Sequence, residues 1–281
     1  MSFWLERPCP MVETLLMTCP VKLVVFSDLD GTLLDHETYR WDAAQPALDR
    51  LRSLQIPVVL ASSKTAAEIT RLQNDMGLES YPAIVENGSG VIGLPGGTTT
   101  GTYAALRRSL EAMPQDLRSL YRGFGDMSAN DVAAITGLPP DAAQRARQRD
   151  FSEPGIWSGS AAELETFKQA LAERGITAQR GGRFLTLSFG KTKADAMDRI
   201  IEVLQPEATL ALGDAPNDRA MLEKADHGVI VANPHSAPMP DLPGEGDGRI
   251  TRTIESGPTG WNAAVIAFLD RPATTGRHSH G

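Results

Sequence analysis

FSDLDGTLLD, residues 26–35, closes an apolar run with two aspartates, Asp28 and Asp30, and follows them at once with glycine and threonine. The run itself, VKLVVF (21–26), is short, β-branched and continuous, the pattern of a strand buried on both faces. In open α/β sheets ligands bind outside the carboxyl ends of the strands, and both aspartates stand at such an end. Side chains two positions apart point the same way along a strand, so the two carboxyls would face one point. Like charges this close raise a pKa or demand a cation. Mg2+ resolves the repulsion, because it favours carboxylate oxygens and keeps waters that a phosphate can replace.

A second acidic strand end lies far downstream. TLALGD (209–214) finishes in Asp214, and GDAPND (213–218) adds Asn217 and Asp218 just beyond. Between and around these two points, strand and helix patterns alternate. PVVLA (57–61), PAIVENG (82–88), FLTLSF (184–189) and GVIVAN (228–233) read as strands. Helices are expected near 44–54, through SSKTAAEITRLQNDMG, and over KADAMDRIIEVL (193–204). In the second of these Ile69, Leu72 and Met76 keep helical spacing, Ser62 or Ser63 is the expected cap, and Gly77 the stop. In the third, Met197, Ile200, Ile201 and Leu204 form one stripe. The pattern predicts an α/β fold: a Rossmann-like core with a mostly parallel sheet covered on both faces.

Residues 93–183 break this texture. They open with the turn-rich GLPGGTTTG and continue with helical patterns near 103–113, 128–136, 141–150 and 161–174. Ser128 with Asp131 reads as a capping box and Gly137 as a helix stop. The expected organisation is a discontinuous core, 21–92 with 184–271, and an inserted domain at 93–183. An extension at 1–20 and a disordered tail at 272–281 complete it.

Composition narrows the function classes. The 281 residues are 41% apolar, enough for a sizeable core, and the formal net charge is −8. An acidic chain argues against general nucleic-acid binding, though a local site for an anionic small molecule can still be positive. The two cysteines, Cys9 and Cys19, lack metal-ligand spacing and suggest no disulfide framework, so a cytoplasmic protein is expected. No apolar stretch reaches the roughly 18 residues of a membrane span, and the start lacks the order of a signal peptide. His278 and His280 in the tail could touch a metal, though paired tail histidines usually do nothing; His36, whose chemical roles the aspartates already fill, reads as structural or as a neighbour of the site, and His227 and His235 have no partner at ligand spacing.

DLDGT, the strand-end Ser62, the helix-starting Lys193 and GDAPND form an ordered set across almost the whole chain. The set resembles the haloacid dehalogenase (HAD) superfamily of phosphotransferases. The resemblance implies that Asp28 is a nucleophile forming an aspartyl phosphate. It implies that Asp30 is the general acid and then base, and that its backbone carbonyl is a metal ligand. Ser62 would hydrogen-bond the phosphoryl group and Lys193 neutralise charge. Mg2+ would be held by Asp28, Asp30 and Asp214, with Asn217 and Asp218 in supporting positions. Lys191 competes with Lys193 for the lysine role, and pattern alone favours Lys193, although Ala194 replaces the usual glycine.

An insertion between the ENG turn and the late lysine motif resembles the mixed α/β cap seen in sugar phosphatases. DLDGTLLDHETYRW, LASSKTAAEI, VENGSGVI, GFGDMSANDVAAITGL, QRDFSEP and GGRFLTL resemble the mannosyl-3-phosphoglycerate phosphatase family more closely still. Ser62-Ser63-Lys64 stands where most of the superfamily has threonine-glycine-arginine. The implied partner is a small phosphorylated sugar, and the implied product mannosylglycerate, a compatible solute. Lys64, Glu86, Asn87, Arg149, Ser152, Gly182 and Arg183 are the candidate substrate residues, with Glu153 beside them. Asn87 reads equally well as a structural turn, Arg145 and Arg147 as a solvated helix face, and Trp41, Trp157 and Trp261 as packing. Gly93, Gly96, Gly181 and Gly182 are candidate hinges for closure of the cap. Glucosyl-3-phosphoglycerate or another sugar phosphate is the neighbouring substrate reading. A phosphomutase and a non-catalytic phosphate binder are the readings furthest away.

Overall fold

The structure is a computed structural model, and it describes residues 21–95 and 101–271. The extension with Cys9 and Cys19, Gly96, and the tail with His278 and His280 lie outside the described residues.

Seven strands form one sheet: β1 (Leu23–Ser27), β2 (Val58–Ala61), β3 (Ala83–Val85), β4 (Gly90–Ile92), β9 (Ala208–Gly213), β10 (His227–Ala232) and β11 (Ile250–Ser256). Four form another: β5 (Tyr121–Gly123), β6 (Glu153–Trp157), β7 (Thr177–Gly181) and β8 (Phe184–Ser188). Their hydrogen-bonded orders are β11-β10-β9-β1-β2-β3-β4 and β5-β6-β8-β7. By compactness the chain divides into residues up to Val59 with those from Val203 on, and Leu60–Glu202.

In the first unit β1, β9, β10 and β11 run parallel in neighbouring pairs. All five residues of β1 are buried, as a continuous apolar run requires in a sheet covered on both faces. The helix Gly257–Leu269 packs Trp261, Val265 and Leu269 fully out of solvent. Trp261 therefore packs, as expected, but it also tethers: its Nε1–H donates to Ser27 Oγ at 2.9 Å, and Ser27 Oγ donates to the Asp28 carbonyl at 2.7 Å. His227 begins β10 with its ring edge-on to Phe268, at 5.0 Å between centroids. Burial, then repulsion from Arg271, holds the His227 imidazole below its ordinary pKa of 6.5. The unfolded chain thus takes up this proton first, and stability falls as pH drops below about 6.5. A His227→Gln variant is expected to lose less stability between pH 7 and pH 5 in urea titrations than the parent does.

In the second unit β2 pairs parallel with β3, and β3 antiparallel with β4. The other sheet is wholly antiparallel. Leu106, Leu110, Tyr121, Phe167, Leu171, Leu185 and Leu187 form its core against the helices Thr102–Glu111 and Ala161–Ala172. Here the structure departs from two readings. FLTLSF does not join the parallel set: β8 lies between β6 and β7. An alternating buried and half-buried pattern, one face in and one out, explains why. The helix Ala66–Met76 is capped by Thr65 rather than Ser62 or Ser63, because Glu68 answers Thr65 in a reciprocal capping box. Gly77 ends it in the left-handed conformation, and the Ser128–Asp131 box and Gly137 stop stand as read.

Candidate active site

The first unit builds an acidic cluster from strand register. β1 and β9 are parallel with Ser27 beside Leu212, and the Asp28 N–H continues the ladder to the Leu212 carbonyl at 2.9 Å. Asp28 and Asp214 therefore leave adjacent strands at nearly the same height. Asp218 joins them from the turn Pro216–Asp218. Carboxylate oxygens of Asp28, Asp214 and Asp218 all lie within 4.8 Å of one another. The three residues are 7%, 5% and 0% exposed.

Asp214 and Asp218 are fixed by neighbours. Asp214 Oδ1 accepts from Thr32 Oγ1 at 2.9 Å, and its Oδ2 accepts from Asn233 Nδ2 and Ser236 Oγ, both at 2.7 Å. Asp218 Oδ2 accepts the N–H groups of Asp214 and Ala215 at 3.2 and 3.1 Å. Gly31, at φ +86°, must be glycine: a Cβ there would lie 2.0 Å from Asn233 Nδ2. Asp30 is half-buried, and its backbone bridges Leu34. Its carboxyl is not one of the trio, in which Asp218 stands instead; Asn217 is exposed.

Three buried carboxylates at this separation repel strongly unless a cation or protons offset them. An all-oxygen donor set is what Mg2+ takes, so the residues present fit that ion. Thr32, Asn233 and Ser236 escaped the sequence reading. Asn233 had left a signal, since GVIVAN ends in a polar residue one strand over from TLALGD.

The second unit gathers Ser62, the 86–88 turn and Lys193. Ser62 follows β2, is fully buried, and donates its N–H to the Ile84 carbonyl at 3.0 Å. Its hydroxyl accepts the Lys64 N–H at 3.3 Å, and its carbonyl accepts the Asn87 N–H at 2.9 Å. Lys193 opens the helix Lys193–Leu204 behind a Thr192–Asp195 box and is 2% exposed, whereas Lys191 lies exposed. A Cβ on Gly88 would sit 2.0 Å from the Thr192 carbonyl oxygen, so the turn and the helix start touch backbone to backbone. Asn87, at φ +57°, holds a buried Oδ1 without a hydrogen-bond partner among the described residues.

Glu86, Arg149 and Ser152 form a closed network. Glu86 Oε1 accepts the Asp150 N–H at 2.8 Å. Its Oε2 accepts both the N–H and the hydroxyl of Ser152 at 2.7 Å. Arg149 Nε lies 3.2 Å from the same oxygen, and Arg149 Nη2 donates to Ser152 Oγ at 2.7 Å. The Glu86 side chain is 0% exposed and that of Arg149 6%, so these groups hold residues 149–152 against the turn. Removing one partner of a buried pair strands the other charge. Glu86→Ala is therefore expected to cost about 3 kcal/mol of stability, read by chemical denaturation.

Glu153 is likewise internal, bonded to Tyr103, Arg107 and the Gly125 N–H. Arg183 is exposed and donates to the Ile135 carbonyl at 2.7 Å, while Gly182 turns the β7–β8 hairpin at φ +55° with open space around it. Arg145 pairs with Asp141, in keeping with a helix-face role. His36, read as structural or beside the site, and His235, read without a partner at ligand spacing, stack on each other at 4.5 Å.

A buried acid trio at the carboxyl ends of parallel strands marks an α/β protein of the kind that works at that edge of its sheet. The chain belongs to the haloacid dehalogenase-like hydrolase family, whose model matches residues 25–103 and 157–237. Solved structures share the fold at low identity. A phosphatase of the haloalkanoate superfamily from Bacteroides thetaiotaomicron is 18% identical with a TM-score of 0.63, over 89% of this chain and 95% of that one. The sucrose-phosphatase of Synechocystis, solved with sucrose and phosphate, is 19% identical with a TM-score of 0.57, over 90% and 99%. A subclass IIB sugar phosphatase is 16% identical with a TM-score of 0.59, over 88% and 99%. Among the described residues no helix is long and apolar enough to cross a membrane.

Proposed function

We propose that the protein is a Mg2+-dependent phosphatase of sugar phosphates, with mannosyl-3-phosphoglycerate as its substrate. The buried trio of Asp28, Asp214 and Asp218 carries the reading. Family membership and the sugar-phosphatase neighbours support the reaction class. The Ser62-Ser63-Lys64, QRDFSEP and GGRFLTL stretches support the particular substrate.

In this reading an Asp28 carboxylate oxygen attacks phosphorus, and the bond from phosphorus to the glycerate 3-oxygen breaks. Asp30 donates a proton to that leaving oxygen, then takes one from the water that hydrolyses the acyl phosphate. Ser62 and Lys193 supply a hydroxyl and a positive charge to the phosphoryl oxygens. Asp28, Asp214 and the Asp30 carbonyl are the assigned ligands of Mg2+, with Asp218 beside them; the ion would supply charge neutralisation for the phosphoryl group. Lys64 and Arg183 are assigned to the glycerate carboxylate and the sugar, and Glu86, Asn87, Arg149, Ser152 and Gly182 to the shape of the substrate pocket. Burial of Glu86, Arg149 and Ser152 in one network favours positioning over direct contact for these three.

Phosphate release across a panel of sugar phosphates and glycosylated phosphoglycerates tests the proposal. The mannosyl compound is expected to give the highest kcat/KM. Equal or better turnover of the glucosyl compound would move the assignment to that substrate. Isomerised sugar phosphate without free phosphate would replace it with a mutase.

A further inference from the structure

A second pocket lies in the first unit, away from the acid trio. It holds about 460 Å³ and is floored by Leu210, Val229, Ala264, Ala267 and Phe268. Arg249, Arg252 and Arg271 stand around it, with Glu255 the one acid. Arg252 is spent on Glu245, at 2.8 Å. Arg249 is not: among the described residues its guanidinium donates only to the carbonyls of Glu223, Ala225 and Pro243. Arg271 lies over the Phe268 ring at 5.3 Å, with no carboxylate in contact among the described residues. Two arginines without an acid partner among the described residues are notable on a chain of net charge −8. His227 also lines the pocket, and its Nδ1 is buried with no hydrogen-bond partner among the described residues.

An apolar floor and two cations without an acid partner among the described residues describe one kind of guest. It has a flat apolar body to lie on the alanines of the helix Gly257–Leu269, Ala263, Ala264 and Ala267. It has an anionic group to meet Arg271. We propose that this pocket is a ligand site, separate from the acid trio, for a small aromatic carboxylate or sulfonate.

Anilinonaphthalene sulfonate serves as the probe, titrated against the full chain by fluorescence, with calorimetry for stoichiometry. One saturable site per chain is expected. Arg271→Gln removes the charge, and Ala267→Phe fills the floor at an exposed helix position; each is expected to weaken binding about tenfold. Phosphate release should be unchanged in both. Binding that is not saturable, or that both variants leave within twofold of the parent, overturns the proposal.

Discussion

Asp28→Asn is expected to lower phosphate release by on the order of 10⁴-fold, with little change in fold. The substitution keeps shape and removes the nucleophilic oxygen. It also deletes one charge from three carboxylates packed within 4.8 Å, so stability without metal should rise rather than fall. A loss of activity with raised stability separates a chemical role from a structural one. Activity within tenfold of the parent, measured on any phosphate ester the parent hydrolyses, would remove Asp28 from the nucleophile role.

The second large effect concerns the cation. Chelation of divalent ions should abolish turnover, and Mg2+ should restore it. Asp214→Asn should raise the Mg2+ concentration for half-maximal activity by roughly 100-fold. Asn233→Ala, which takes away the 2.7 Å hydrogen bond to Asp214 Oδ2, should raise it by about tenfold. Mg2+ should also raise the melting temperature of the parent and not of Asp214→Asn, because an ion bound only to the folded state stabilises by mass action. Equal Mg2+ dependence in parent and variants would contradict the role given to the trio.

Much of the parallel sheet is legible in the sequence, for a simple reason. Strands buried on both faces must be continuous apolar runs, and LVVFS, VVLA and TLALG are such runs. The strand-end acids are legible too, since a charge directly behind a buried run has few structural uses. The antiparallel sheet is harder. YRG, EPGIW and TAQRG carry glycine, proline or exposed polar residues and have no strand periodicity to find. FLTLSF reads as a strand but says nothing of its partners, and pairing put it between β6 and β7. The Glu86 network is the least legible part. Its partners stand more than sixty residues away, and a carboxylate that accepts backbone N–H groups looks in sequence like any acid. Thr65 shows the same limit on a small scale: three neighbouring hydroxyl residues compete for one cap, and only the reciprocal bond from Glu68 decides.

The central claim is that the Asp28 carboxylate becomes phosphorylated in turnover. Acid quenching during steady-state hydrolysis, followed by peptide mass spectrometry, tests it most directly. The peptide carrying Asp28 should hold one added phosphoryl group, labile to hydroxylamine and absent when substrate or Mg2+ is withheld. Hydrolysis at full rate with no label on that peptide, or with the label on another residue, would contradict it.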